Sequence, residues 1–111
     1  MFKKLIKSKT VWLIDFYTPW CSHCTYFAPE FEVISKKLKG KVKTGKVNCQ
    51  TLGHLCREAA VNAYPTLKLY DKSAKSAKGI PVEGFGAKDI VPFVENFLSD
   101  SSQENIIRDE L

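Results

Sequence analysis

A pair of cysteines with two residues between them, Cys21 and Cys24, offers the clearest chemistry in this sequence. Two thiols at this spacing can close a disulfide across a single helical turn, and they do so reversibly if the first is held as a thiolate. An apolar run precedes the pair, and a turn at Thr18-Pro19 separates the two. This order predicts that Cys21 begins a helix, where unpaired backbone N–H groups and the helix dipole favour a negatively charged sulfur. The pair is therefore a candidate redox site.

The segments around the pair alternate between the patterns of strands and of helices. The run from Val11 to Tyr17 is almost entirely apolar, as expected for a strand that is buried on both faces of a sheet. From Cys21, apolar residues recur every three or four positions until Gly40 ends the pattern, which predicts a helix. By the same criteria we expect strands at 42–48, 66–70 and 80–85 and helices at 2–7, at 51–60 with Thr51 as its cap, and at 87–98.

This order of elements predicts an α/β fold whose sheet carries helices on both faces. A right-handed crossover after the first strand would place Cys21 at the carboxyl end of that strand, where ligand chemistry is commonly found. Residues 1–99 are expected to form one domain. The polar, acidic segment 100–111 is predicted to be a disordered tail.

The composition argues against binding to nucleic acid or to a membrane. The formal net charge is +5, but every basic residue except Arg57 and Arg108 is a lysine. Arginine is the side chain that best reads bases and grips phosphates, so nucleic-acid binding is disfavoured. No apolar run approaches the ~20 residues that a membrane span needs. The basic start of the chain is not followed by a signal-peptide pattern, because the next apolar run contains Asp15.

The residues around the cysteine pair resemble those of the thioredoxin superfamily, in particular its protein disulfide isomerase branch. Phe16 to Cys24 reads F-Y-T-P-W-C-S-H-C, where that branch usually has F-Y-A-P-W-C-G-H-C, and Tyr64-Pro65-Thr66 opens a later strand. Within the branch, residues 39–50 and the C-terminal tetrapeptide resemble the C-terminal thioredoxin domain of the endoplasmic-reticulum J-domain disulfide reductases. The resemblance implies a thioredoxin fold with a central mixed sheet, lacking the family's first strand before Phe2.

The resemblance also implies thiol–disulfide exchange that needs no cofactor beyond the cysteine pair itself. Cys21 would attack a substrate disulfide, and Cys24 would resolve the mixed disulfide that forms. Trp20, Ser22 and His23 would tune the pair, with His23 stabilising reduced Cys21 and so making the disulfide more oxidising. Ser22 stands where the branch usually has glycine. The redox potential is therefore left open, and with it the choice between reductase and isomerase.

A carboxylate in the apolar run, Asp15, is the odd residue of its strand, and burial without a partner would raise its pKa. The family has an acid here, beneath the resolving cysteine, where it accepts the proton of that thiol. Lys46, at the matching place on the next strand, would be its charge partner. The alternative for Asp15 is a polar strand end that faces water.

The bond between Tyr64 and Pro65 is predicted to be cis, since cis bonds are almost confined to proline. The family packs this loop against the cysteine pair, and the residue before the proline pairs with an extended substrate peptide by strand addition. The alternative is an ordinary proline that opens an edge strand.

The other two cysteines, Cys49 and Cys56, are separated by six residues. Related domains carry such a pair as a structural disulfide, which we expect here in an oxidising compartment, and two buried free thiols are the alternative. A zinc site that combines Cys21, Cys24 and His54 with either of them is disfavoured. Structural zinc usually takes two closely spaced ligand pairs, and this spacing is too long.

The last four residues, Arg108-Asp109-Glu110-Leu111, resemble the K-D-E-L retrieval signal, which a receptor reads in the secretory pathway. The resemblance therefore predicts a place in the endoplasmic-reticulum lumen, with cysteine-containing unfolded or misfolded secretory proteins and the signal's receptor as partners. It also predicts that Met1 is an introduced start and that upstream domains are missing. A J-domain among them would add an Hsp70-type chaperone as a partner.

A function of a different class is also compatible with these residues. A redox-silent, peptide-binding chaperone module would use the Pro65 loop and leave the cysteine pair as idle thiols or a static disulfide. Reductase activity separates the two hypotheses, because the chaperone module predicts none.

Overall fold

A computed structural model describes residues 2–7, 9–71, 74 and 76–110 of the chain. Within these residues it contains four strands and four helices. In chain order they are α1 (Phe2–Lys7), β1 (Trp12–Tyr17), α2 (Ser22–Lys37), β2 (Lys43–Asn48), α3 (Gly53–Glu58), β3 (Thr66–Tyr70), β4 (Ile80–Val82) and α4 (Ala87–Glu110).

The strands form one mixed sheet in the order β2-β1-β3-β4. Strand β1 pairs in parallel with β2 and antiparallel with β3, which in turn pairs antiparallel with β4. The predicted mixed α/β sheet is confirmed. Strand β1 lies inside the sheet, between β2 and β3. The cysteine pair follows the carboxyl end of β1 and therefore lies near the middle of that end of the sheet.

Helices cover both faces of this sheet, as predicted. On one face, Leu13 of β1 packs with apolar residues of α2 and α4. On the other, Ile14 and Phe16 pack with residues of α1 and with Cys56 of α3. Burial on both faces explains why β1 reads as an almost unbroken apolar run.

A buried lysine, which the sequence pattern did not single out, ties together two connections of the fold. Lys68 of β3 is 6% exposed. Its Nζ donates to the Ala59 carbonyl at the end of α3, and also to the Lys78 carbonyl in the β3–β4 hairpin at 2.7 Å. Burial lowers the pKa of this amine. Lys68 thereby anchors the start of the connection that leads from α3 to Tyr64-Pro65.

Helix α3 and strand β4 differ from their predicted form. Leu52, not Thr51, is the N-cap of α3, and the Thr51 hydroxyl instead donates to the Asn48 carbonyl at 3.3 Å. Strand β4 ends at Val82, before Gly84, which adopts a φ of +145°. At that position a Cβ atom would lie 2.8 Å from the Asp89 Cβ, so the positive φ and the close approach to α4 both require glycine.

Helix α4 is also longer than predicted. It continues from Ala87 to Glu110, through the segment in which the sequence predicts a disordered tail. The sequence contains neither glycine nor proline after Pro92, so no strong helix breaker stops it. The division into a domain and a tail at residue 99 stays a prediction. Among the described helices, none combines the length and the apolar character needed to cross a membrane.

Candidate active site

Cys21 is the N-cap residue of α2, the position predicted for it. Its backbone is extended, with φ −83° and ψ 116°, and its Sγ accepts a hydrogen bond from the Cys24 backbone N–H at 3.1 Å. The side chain is 8% exposed. The sulfur of Cys21 therefore lies at the N-terminus of α2 with a backbone N–H directed at it.

Cys24 lies one turn further along α2 and is a free thiol like Cys21. Burial raises the pKa of Cys24 to about 11, with further contributions from a hydrogen bond to Cys21 and from the nearby charges of Cys21 and Asp15. A backbone hydrogen bond with Thr18 opposes this rise. Cys24 is therefore protonated in the reduced protein at neutral pH, and it must lose its proton before it can attack.

Two buried oxygens lie at the end of β1 and just beyond it, next to the cysteine pair. Asp15 and Thr18 are each 3% exposed. Within the described part of the chain, Asp15 Oδ1 and Thr18 Oγ1 have no hydrogen-bond partner although both are buried. Burial raises the pKa of Asp15 to about 6. At neutral pH this carboxyl group is mostly ionised and can take up a proton.

Lys46 faces Asp15 across the parallel pair of β1 and β2, in the predicted register. Its positive charge lowers the pKa of Asp15 and so opposes the effect of burial. Within the described residues the two groups do not form a close ion pair. Instead, Lys46 Nζ lies 5.4 Å from the centroid of the Tyr17 ring and 5.8 Å from that of Phe31.

The loop that opens β3 lies directly against Cys21. The bond between Tyr64 and Pro65 is cis. Cys21 Sγ donates to the Tyr64 carbonyl at 3.6 Å, and Trp20 contacts the Tyr64 ring edge-on with centroids 6.0 Å apart. Trp20 is 69% exposed, and Ser22 and His23 are exposed beside it. The fold thus brings the loop and the cysteine pair together.

A groove of about 670 Å³ extends away from this loop. It is lined by residues of α2, of the cis-proline loop, of β3 and β4, and of the connection from β4 to α4: His23, Tyr26, Phe27, Tyr64, Pro65, Thr66, Leu67, Pro81, Val82, Glu83, Gly84 and Phe85. The sequence pattern did not indicate that Tyr26 and Phe85 line this groove. It also did not indicate that the hydroxyl of Thr18 is buried. The signal for it was that Thr18 stands where the branch usually has alanine.

The remaining predicted residues lie away from the cysteine pair. Cys49 and Cys56 are joined in a disulfide, with Cα atoms 5.7 Å apart, in the core on the α1 and α3 face. The Cys49 N–H bonds to the Tyr17 carbonyl at 2.8 Å, which connects this disulfide to the end of β1. Because the two sulfurs are bonded to each other, neither is free to join a zinc site.

We expect removal of this disulfide to weaken the fold without removing the redox pair. The double substitution C49A/C56A should lower the free energy of unfolding by roughly 2–3 kcal/mol, because an unlinked unfolded chain has more conformational freedom. The melting temperature should fall by roughly 10 °C, as measured by circular dichroism under oxidising conditions. The matched control C21A/C24A should leave it nearly unchanged. Equal melting of wild type and C49A/C56A would contradict a stabilising role.

The residues of the predicted retrieval signal are the last four of the sequence. Arg108, Asp109 and Glu110 belong to the last turn of α4, and Leu111 lies outside the described residues. Their role stays a prediction.

Comparison with known proteins gives a consistent result. The family model described as Thioredoxin matches residues 1–96. The chain is 42% identical over 112 residues to DnaJ homolog subfamily C member 10 of Rattus norvegicus, covering 98% of this chain and 14% of that protein. It is 34% identical to a putative protein disulfide-isomerase of Dictyostelium discoideum, covering 94% of this chain and 28% of that protein. The chain therefore spans only a small part of these relatives.

Solved structures agree with the sequence comparison. The crystal structure of the Trx4 domain of ERdj5 superposes with a TM-score of 0.76 at 41% identity, covering 86% of each chain. Full-length ERdj5 superposes with a TM-score of 0.77 at 38% identity, covering 87% of this chain and 14% of that one. The resemblance to protein disulfide isomerases, and to a thioredoxin domain of a J-domain protein, is confirmed.

Proposed function

The chain belongs to the thioredoxin family, and from this premise we propose that it is a thiol–disulfide oxidoreductase that acts on disulfides of secretory proteins in the endoplasmic reticulum. The observation that carries the proposal is the proximity of three side chains near the carboxyl end of β1. Cys21 caps α2, Cys24 is buried behind it, and the buried Asp15 carboxyl group lies close enough for its charge to raise the pKa of Cys24. A static pair of thiols would need no buried proton acceptor.

In the first step, the Cys21 thiolate attacks one sulfur of a substrate disulfide. A bond forms between Cys21 Sγ and that sulfur, the substrate disulfide breaks, and the second substrate sulfur leaves as a thiolate that takes a proton from water. The Cys24 N–H that bonds to Cys21 Sγ, together with the position at the helix N-terminus, supports the charge of the attacking sulfur.

In the second step, Cys24 transfers its proton to Asp15 and attacks Cys21 Sγ. The mixed disulfide breaks, the substrate leaves reduced, and the Cys21–Cys24 disulfide remains. Two of the causes that raise the pKa of Cys24, its hydrogen bond to Cys21 and the charge of Cys21, disappear once Cys21 is bonded to substrate. Cys24 thus becomes a better nucleophile only when there is a mixed disulfide to resolve.

The cis-proline loop is proposed to hold the substrate chain. Tyr64 and Pro65 lie beside Cys21, and an extended peptide could pair with the backbone of Tyr64 as an added strand. Recognition through the backbone suits a protein whose substrates share cysteines but not sequences. Trp20, Ser22 and His23 border the same site and are proposed to set its redox potential.

The cellular setting is proposed on three grounds. Arg108 to Leu111 resembles a retrieval signal, which implies the endoplasmic-reticulum lumen and a receptor for that signal. The Cys49–Cys56 disulfide suits an oxidising compartment. The similarity to DnaJ homolog subfamily C member 10 supports an Hsp70-type chaperone as a partner through a J-domain outside this segment. The redox chemistry itself relies on the chain's own cysteine pair.

Reduction of insulin by excess small thiol tests the proposal against the redox-silent chaperone module. The wild-type chain should accelerate the reaction, while Cys21→Ser, which removes the attacking sulfur, should show only the background rate. Absence of acceleration by the wild type would favour the chaperone module. Equilibration with glutathione buffers then gives the direction: a potential near about −270 mV favours a reductase, and one near about −180 mV an isomerase or oxidase.

A further inference from the structure

The buried amine of Lys68 has no part in the proposed chemistry, yet it lies where three segments of the chain meet. Every other lysine in the described part of the chain is exposed, whereas Lys68 is 6% exposed. A buried charge is costly unless hydrogen bonds satisfy it. Within the described residues no carboxylate pairs with this amine, and its hydrogen bonds go to the main-chain carbonyls of Ala59 and Lys78. The amine therefore holds backbone, and not another side chain, in place.

The carbonyl of Ala59 is where the connection from α3 to β3 begins. Ala59 is the C-cap of α3 and is fully buried. Its carbonyl belongs to the peptide group that leads into Ala60, which has a φ of +59° although it is not glycine. This left-handed conformation is uncommon for alanine, so contacts around it must hold it. The amine of Lys68 supplies one contact at that peptide group, and the Val61 N–H supplies another by donating to the Cys56 carbonyl at 2.9 Å.

The hydrogen bond from Lys68 to Ala59 closes the segment 59–68 on itself, with Tyr64-Pro65 near its middle. The start of this segment is held by the amine, and its end belongs to β3. Its middle lies against the reactive site, because the Tyr64 carbonyl accepts from Cys21 Sγ at 3.6 Å. A segment that is fixed at both ends restricts where its middle can lie. The Lys68 contact therefore restricts the position of Tyr64-Pro65 relative to Cys21.

We propose that Lys68 is a positioning residue for disulfide exchange with extended peptides. By holding the Ala59 carbonyl, its amine keeps the backbone of Tyr64-Pro65 where a substrate chain can pair with it and present a disulfide to Cys21. The inference rests on the proposed function and concerns the same site. Lys68 bonds to neither reactive cysteine, so its effect is confined to substrates that pair with the cis-proline loop. A small disulfide that reaches Cys21 without such pairing does not depend on it.

Two substrates, a disulfide-linked peptide and hydroxyethyl disulfide, separate this positioning role from a general loss of stability. Lys68→Met keeps a long unbranched side chain but removes the amine. Its kcat/KM for the peptide should fall by about tenfold or more, mainly through KM, because a displacement of about 1 Å at a reactive site can cost about 10²-fold. Its rate with hydroxyethyl disulfide should equal that of the wild type.

Tyr70→Phe is the matched control for the loss of a buried hydrogen bond from β3. The Tyr70 hydroxyl donates to the Ala77 carbonyl at 2.7 Å, in the same β3–β4 hairpin that contains Lys78. The substitution removes a bond to this hairpin but leaves the bond between Lys68 and Ala59 in place. Tyr70→Phe should therefore keep the wild-type rates with both substrates.

Circular dichroism establishes that each variant is folded. If Lys68→Met is not, Lys68→Gln, whose shorter and neutral amide cannot hold both carbonyls, takes its place with the same expected rates. An unchanged peptide rate, an equal loss with both substrates, or a peptide-specific loss of the same size in Tyr70→Phe would each overturn the inference. If the wild type reduces neither substrate, the proposed function itself fails. If it reduces both and the Lys68 variant does not distinguish them, only the positioning role fails.

Discussion

Cys24→Ala should turn the chain from a catalyst into a trap that stays covalently bound to its substrate through Cys21. The first attack needs only the exposed edge of Cys21, whereas release needs the thiol of Cys24 one turn further along α2. Without Cys24, release depends on an external thiol. Because well-placed intramolecular groups reach effective molarities of about 10⁵ M, release by millimolar glutathione should be slower than release by Cys24 by up to about 10⁸-fold.

Non-reducing gel electrophoresis with a disulfide-containing peptide as substrate would detect the trapped species. The control variant C21A/C24A retains the Cys49–Cys56 disulfide and should capture nothing, which excludes exchange at that bond. Capture by the control at the level of Cys24→Ala would contradict the assignment of Cys21 as the attacking sulfur. Rapid release from Cys24→Ala in the absence of added thiol would contradict the role of Cys24.

Asp15→Asn should slow release of the mixed disulfide by roughly 100-fold at neutral pH, while the first attack keeps its rate. The amide is nearly isosteric with the carboxyl group but cannot accept the Cys24 proton, and general bases typically contribute about 10²-fold or more. In the wild type, release should accelerate as the pH rises through about 6, where Asp15 loses its proton. In Asp15→Asn that inflection should be absent. Stopped-flow measurement of the two steps across pH 5–8 would show both effects.

The same substitution should stabilise the fold at neutral pH. Burial raises the pKa of Asp15 from 3.8 to about 6, so the native state binds the proton more tightly than the unfolded state. The wild type therefore loses stability as the pH rises from about 4 through 6, by up to about 3 kcal/mol. Asp15→Asn carries no such charge, so its advantage in urea unfolding should be near zero at pH 4 and largest above pH 7.

Glu32→Gln is a suitable control for both effects, since Glu32 is an exposed acid on α2. It should change neither the release rate nor the pH dependence of unfolding. If Asp15→Asn released substrate at the wild-type rate, the proton acceptor would be another group. If its stability followed that of the wild type at every pH, Asp15 would not be the buried ionisable group that the fold implies.

Much of this site could be predicted from the sequence because its signals are local. The spacing of Cys21 and Cys24, the turn before them and the apolar strand behind them all lie within fourteen residues, and backbone geometry converts them directly into a helix cap. The cis bond at Pro65 was predicted with the help of the family resemblance that Tyr64-Pro65-Thr66 carries, and it is present in the structure. The register of Asp15 against Lys46 was likewise predictable, because two parallel strands align their matching positions.

What the sequence left undetermined depends on groups brought together from distant parts of the chain. Nothing near Lys68 indicates that its amine will find carbonyls from α3 and from the β3–β4 hairpin, because those acceptors exist only once the sheet has formed. The exposure of Phe85 was equally hidden. Its segment has the pattern of a strand, but β4 ends at Val82 and Gly84 adopts a φ of +145°.

The spacing of Cys21 and Cys24 and the helix cap formed by Cys21 could be predicted from the sequence, because both need only neighbouring residues. The burial of Asp15 and Cys24, and the presence of Tyr26 and Phe85 in the groove beside them, became evident only from the folded structure. Burial and enclosure are properties of packed surfaces, and each surface here is built from elements that are far apart in the chain. The cysteine pair could therefore be predicted before the fold was known, whereas the extent to which Asp15 and Cys24 are buried could not.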